Sequence, residues 1–194
     1  METLRKYNEM ALLTGLALIL FVIEMQVPPL VSLPGVKMGL ANVVTVYAVY
    51  RFRAEEAVLI LLARILLAAF FAGQAAAFLY SLCGGLFCIT GMLLLKRLIP
   101  ARRLWLSSVC GAVLHNGGQV AAAAVMTGTS AVLAYFPVLA AAGCAAGLFT
   151  GLCAQQALSH PALRRGCRGM ESRPNKLKKN RFNRLKKFVI SSIV

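Results

Sequence analysis

The chain has 194 residues, of which 59% are hydrophobic and 14% charged, and its formal net charge is +15 at pH 7. A water-facing domain carries about 25% charged residues, so this composition excludes an ordinary soluble surface and makes lipid the expected solvent. Nor does the charge describe a nucleic-acid groove. Eleven of the 21 basic residues lie between Arg164 and Lys187, and most of the rest form short clusters between apolar segments. That is the distribution of a membrane topology.

In chain order, the first apolar segment runs from about Met10 to Val27 and is stopped by Pro28-Pro29. Arg5 and Lys6 ahead of it resemble the start of a signal peptide. No small-residue cleavage site follows, however, so a retained helix is expected. A turn-prone stretch, Pro28 to Gly35, leads to a second segment of about Val36 to Tyr50, short for a core of ~30 Å at ~1.5 Å per residue. The third segment covers Ala54–Ala72, the fourth Ala75–Leu95, the fifth Leu104–Met126 and the sixth Ala131–Leu158, with tight connections at Gly73-Gln74 and Thr127 to Ser130.

The connections alternate in charge. Arg5 and Lys6 precede segment one, Arg51 and Arg53 follow segment two, Lys96, Arg97, Arg102 and Arg103 follow segment four, and a basic tail follows segment six. The connections after segments three and five carry no Lys or Arg, and the one after segment one carries only Lys37. By the positive-inside rule both termini face the cytoplasm. The expected architecture is an all-α membrane protein: a six-helix transmembrane bundle over 1–159, multi-pass in the cell (inner) membrane, with a basic cytoplasmic tail over 160–194. In that tail Leu177, Phe182, Leu185, Phe188 and Val189 fit one side of a short helix with basic residues opposite. Both an anchor on anionic lipid and a solvated tail fit this pattern.

Five of the six cysteines, Cys83, Cys88, Cys110, Cys144 and Cys153, fall in apolar segments, and with Cys167 none forms a CxxC pair. They are expected to pack as small hydrophobes rather than to hold metal or a disulfide framework. There is no aspartate, and the one adjacent acid pair, Glu55-Glu56, reads as helix N-terminal charge. Clustered carboxylates for magnesium-diphosphate chemistry are therefore lacking. No catalytic residue, metal or cofactor is expected.

Strongly polar side chains inside a membrane are costly, so they mark function first. Here they are Glu24, Lys37, Asn42, Arg64, Gln74, Tyr80, His115, Asn116 and Gln119. With the orientation above, Glu24, Lys37 and Gln74 fall near outer helix ends, Asn42, Tyr80 and Gln119 in outer halves, and Arg64 and His115 near mid-membrane. A set gathered in the outer half, from five segments, fits one outward-facing binding cavity better than a channel. Glu24, Lys37, Asn42, Arg64, Tyr80, His115, Asn116 and Gln119 are its expected lining. The structural alternatives stand beside this reading: Arg64 pairing with Glu24 or capping carbonyls, His115 donating between helices. Small residues recur at Gly143, Gly147 and Gly151 and at Ala11 and Gly15, where helices approach closely. For the sixth segment this reads as packing within the chain. For the first, docking to a partner is a second reading.

The stretches Pro28-Pro29-Leu30, Leu33 through Val44, Phe78 through Gly85, Gly111 through Gln119 and Tyr135 through Leu139 carry a resemblance. The sequence resembles the Gx transporter family, also labelled heptaprenyl diphosphate synthase component I, over about residues 10–158. That family looks like the S components of energy-coupling factor transporters: six-helix membrane proteins that bind a scarce nutrient in an outward cavity and dock on a T subunit driven by two ATPases. The resemblance implies a substrate-binding role, with Ala11-x-x-x-Gly15 as the counterpart of an Ala-x-x-x-Ala docking motif. No nucleotide-binding loop is present, so ATP hydrolysis would fall to partners. The other label implies a non-catalytic accessory subunit of polyprenyl diphosphate synthesis, since a chain without aspartate lacks that catalytic machinery. Reporter fusions in the 96–103 connection should report a cytoplasmic location, and an external location there would reverse the expected topology.

Overall fold

The computed structural model describes residues 2–26, 39–73 and 75–160. Among these residues six α-helices follow one another: α1 (Glu2–Gln26), α2 (Leu40–Arg51), α3 (Ala54–Ala72), α4 (Ala75–Leu95), α5 (Leu104–Thr127) and α6 (Phe136–Ser159). Short 3-10 turns, Ala101–Arg103 and Ser130–Tyr135, precede α5 and α6. No strand occurs among the described residues. Residues 1–156 form one compact unit and 157–194 a second, of which only 157–160 are described.

Two boundaries depart from the sequence expectation. α1 begins at Glu2, not near Met10, because Arg5, Lys6 and Glu9 are good helix formers and Lys6 and Glu9 pair with side chains on neighbouring helices. The sixth apolar segment is divided: Thr129 Oγ1 accepts from the Ala131 N–H at 3.3 Å and a 3-10 turn follows. The α-helix then starts at Phe136, one residue before Pro137, whose fixed φ and missing N–H suit a first helical turn. Lys37, Gln74, the start of the second apolar segment and the basic tail lie outside the described residues.

α1, α4, α5 and α6 are long and apolar enough to cross a membrane, by length and composition. α2, with 12 residues, spans only ~18 Å at ~1.5 Å per residue. α3 has the length but carries Glu55, Glu56 and Arg64. The outer faces are apolar: Phe70 is 83% exposed, Leu12 75% and Val125 83%. The polar residues Ser107, Ser108, Thr150, Thr45 and Arg64 are buried. The interior is mostly apolar as well, with Ile60, Leu61, Ile89 and Met92 buried, so large apolar side chains occupy both the inside and the outer faces.

One end of the bundle is polar. Lys6 on α1 pairs with Glu56 on α3, and Arg51 at the end of α2 pairs with Glu9 through bonds of 3.0 and 3.3 Å. Glu56 also accepts from the Arg53 N–H at 3.2 Å, closing the first turn of α3. Lys96, just past α4, donates to the Val49 carbonyl at 2.6 Å and the Phe52 carbonyl at 3.4 Å, satisfying the end of α2. Burial lowers the Lys96 pKa below the ordinary lysine value.

The helices meet through glycine. A Cβ on Gly118 of α5 would lie 2.9 Å from the Cys83 carbonyl oxygen and 3.0 Å from the Gly84 Cα of α4. On α6, Gly147 faces the Val109 Cα and the Ala112 Cβ, where an added Cβ would come within 2.8 Å of each, and Gly151 faces Ser108 and Trp105. The stripe on the sixth segment thus packs within the chain. Gly15, by contrast, has nothing within 4 Å of an added Cβ. Gly118→Ala and Gly147→Ala should each lower stability by about 1–3 kcal/mol, the usual cost of overpacking. Gly15→Ala should leave stability unchanged or raise it by up to about 1 kcal/mol, from helix propensity alone. Thermal unfolding in detergent distinguishes the two outcomes.

Candidate functional site

At the end of the bundle opposite the polar layer, the C-terminal ends of α1, α3 and α5 meet the N-terminal ends of α2, α4 and α6. A cavity of about 560 Å³ opens among them, within the size range of small-molecule sites, ~300–1,000 Å³. Glu24, Asn42, Arg64, Tyr80, His115, Asn116 and Gln119 all line it. Sequence reasoning had selected these seven, and the eighth, Lys37, lies outside the described residues.

Each side chain has a backbone reason for its place. Gly39 adopts φ 70° at the start of α2, a left-handed conformation natural to glycine, and its N–H donates to Glu24 Oε1. That bond joins the C-terminal end of α1 to the first turn of α2. Asn42, one turn further along α2, accepts from Arg64 Nη2 at 3.2 Å. Arg64 therefore pairs with an amide, and among the described residues it has no carboxylate in ion-pair contact. Its side chain is buried, and its Nε has no hydrogen-bond partner.

On α5, His115 and Gln119 stand four residues apart on one face, both against Gly84. A Cβ there would lie 2.8 Å from the Gln119 Cγ and 2.9 Å from the His115 carbonyl oxygen. The His115 side chain is hydrogen-bonded to the Gly84 backbone, while its Nδ1 is buried without a hydrogen-bond partner among the described residues. Asn116 is differently engaged. Its Nδ2 donates to the Leu139 carbonyl of α6 at 2.5 Å, in space left by Gly143. Asn116 thus belongs to the α5–α6 contact as well as to the cavity wall.

The cavity reaches deeper than the polar set foretold. Cys88, Ser108 and Thr150 line its far part, with Ser108 Oγ and Thr150 Oγ1 3.1 Å apart and Thr150 donating to the Gly147 carbonyl. Along α5 the lining runs from Ala123 to Ser108, about 22 Å at ~1.5 Å per residue. Sequence reasoning missed these hydroxyls because a Ser or Thr in an apolar helix normally bonds back to its own turn. Spacing held the available signal: Ser108 lies seven residues before His115, two turns along the same face.

Among the described residues no group of three His, Cys, Asp or Glu side chains is placed to hold a metal ion. The described cysteines are free. On the outer face of α1 a shallow groove is lined by Asn8, Ala11, Leu12, Gly15, Leu16 and Ile19, which puts Ala11 and Gly15 on the surface, away from the cavity.

The family model described as heptaprenyl diphosphate synthase component I matches residues 13–157. The chain belongs to that family. The matched region holds α2 to α5, nearly all of α6 and most of α1, and so every described cavity residue named above. No curated protein and no solved structure matches the chain.

Asn116→Ala should cost about 0.5–2 kcal/mol, the range for a hydrogen bond between helices. His115→Leu should cost no more than about 1.5 kcal/mol, since it removes one hydrogen bond to the Gly84 backbone together with a buried nitrogen, Nδ1, that has no partner among the described residues. Parallel melting curves check both.

Proposed function

We propose that the protein is an integral membrane subunit that binds a small molecule in this cavity and belongs to an ATP-driven uptake transporter, resembling an S component. The supporting observation is the convergence of seven polar side chains from five helices, α1 to α5, on a single cavity inside a bundle whose outer faces are apolar. Polar groups enclosed by an apolar exterior are costly to maintain without a use. In this reading six helical segments cross the bilayer, the polar layer of Lys6, Arg51, Glu56 and Lys96 faces the cytoplasm with both termini, and the cavity opens outward. α2 is short because it is shielded by its neighbours, and Arg64 of α3 faces inward, away from lipid.

Membrane lipid is then the surrounding solvent, and the protein performs no chemistry itself. Ala11 and Gly15, at the surface of α1, form a dock for a transmembrane T subunit, and separate ATPase subunits supply the energy. Nucleic acid has no part. The test is reconstitution into vesicles, alone and with T and ATPase subunits, followed by mass spectrometry of what accumulates from a defined mixture of amino acids, vitamins and organic acids. ATP-dependent accumulation is expected only with the partners present, and Gly15→Leu should abolish it without unfolding the chain. Accumulation by the isolated chain without ATP would overturn the partner-dependent reading.

A second reading is favoured by the family's own description: a non-catalytic, membrane-bound accessory to heptaprenyl or other polyprenyl diphosphate synthesis. Its test is addition of the chain to a prenyl diphosphate synthase. A change in rate or product length supports this second reading, and an unchanged rate and product removes it.

A further inference from the structure

Arg64 has a requirement that the described residues meet only in part: Glu24 attracts its charge through space without contact, and one of its donors is left without an acceptor. A guanidinium stays charged in proteins, and a buried charge needs a counter-charge or a full set of hydrogen bonds. Arg64 is 8% exposed, its Nη2 is held by a neutral amide oxygen at 3.2 Å, and its Nε has no partner. The acid sharing its cavity, Glu24, receives the Gly39 N–H and makes no ion pair with Arg64. A second buried nitrogen without a partner, His115 Nδ1, belongs to a residue lining the same cavity. The vacant donor on Arg64 is therefore a place for an anionic oxygen group.

Two observations limit the ligand's charge and shape. Among the described lining residues Arg64 is the only cation, while Glu24 adds a negative charge to the same wall. No described cluster is fit to hold a metal ion that would neutralise a diphosphate. Arg64 can face one anionic group directly, while Glu24 on the same wall disfavours a second or third negative charge. The remaining wall includes Val46, Ile65, Ala68, Ala112 and Val120, which accept an apolar body. Resting on the reading of this cavity as a substrate site, we infer that the substrate is a small amphiphile with one carboxylate-like group on the Arg64 Nε–H and an apolar body along α5.

The test uses the full chain in lipid nanodiscs, with thermal unfolding measured in benzoate, benzamide, benzylamine and inorganic diphosphate at equal ionic strength. Benzoate should stabilise the wild type, and the neutral, cationic and multiply charged probes should do so less or not at all. Arg64→Met should weaken benzoate by about 10- to 100-fold, the worth of a charge-assisted hydrogen bond. Where Arg64→Met fails to fold, Arg64→Lys carries the test: it keeps the charge without the planar donor edge and should bind benzoate about tenfold more weakly. Absence of benzoate stabilisation in the wild type, equal affinity in either variant, or a preference for diphosphate would overturn the inference. Partner-dependent uptake is scored separately. Uptake that persists in Arg64→Met overturns the anion site alone, and benzoate binding without ATP-dependent uptake overturns the transport reading alone.

Discussion

The contact between Gly84 and Gly118 decides the geometry of the interior. With no side chain on either residue, α4 and α5 approach until an added Cβ on Gly118 would stand 3.0 Å from the Gly84 Cα. His115 and Gln119 are pressed to the side of that crossing, toward the space among α1, α2 and α3. A bulkier pair would part the two helices, and the side chains that now converge would face a gap of different shape. Gly85 continues the arrangement on the other flank, where an added Cβ would meet Ile65 and Leu61 of α3, the helix that carries Arg64. Packing and placement of function are thus one constraint: glycine permits the approach, and the approach fixes where donors and acceptors point.

The apolar exterior acts in the same direction. With Leu, Phe and Val on the outer faces, the polar side chains that turn inward need partners within the bundle. Some do: Ser108 with Thr150, Asn116 with Leu139, Lys96 with the end of α2. Arg64 and His115 each keep a buried nitrogen without one. Arg64 and His115 thus each tie two helices, through Asn42 and the Gly84 backbone, and each keeps one further nitrogen available.

Much of this was legible in the residues. The bounds of α3 and α4 follow from Arg53 ahead of Glu55-Glu56 and from Gly73, which ends α3 in a left-handed cap at φ 64°, and both helices occupy the span their hydropathy indicates. The seven described cavity residues were legible because an ionisable or amide side chain in a long apolar run is conspicuous. The break before Phe136 was not, since Pro137 lies inside an uninterrupted apolar segment and hydropathy carries no record of a missing N–H. The partner of Arg64 was hidden for another reason: charge favours Glu24, whereas the fold presents Asn42, and only the relative placement of α2 and α3 decides between them. Ser108 and Thr150 were invisible because hydroxyls in helices are ordinarily satisfied locally, and their meeting depends on the glycine stripe of α6.

The polar fastenings of α1 are unequal. Toward its start, Lys6 and Glu9 bind side chains of two neighbouring elements, Glu56 and Arg51; near its finish, the Glu24 carboxylate holds one amide hydrogen, that of Gly39. Among the described residues, charge pairs tie the start of α1 to α2 and α3, and the Glu24–Gly39 bond ties its finish to the first turn of α2. Substitutions at Lys6 or Glu9 and at Glu24 therefore act on opposite ends of one helix, the first on the polar layer and the second on the cavity wall.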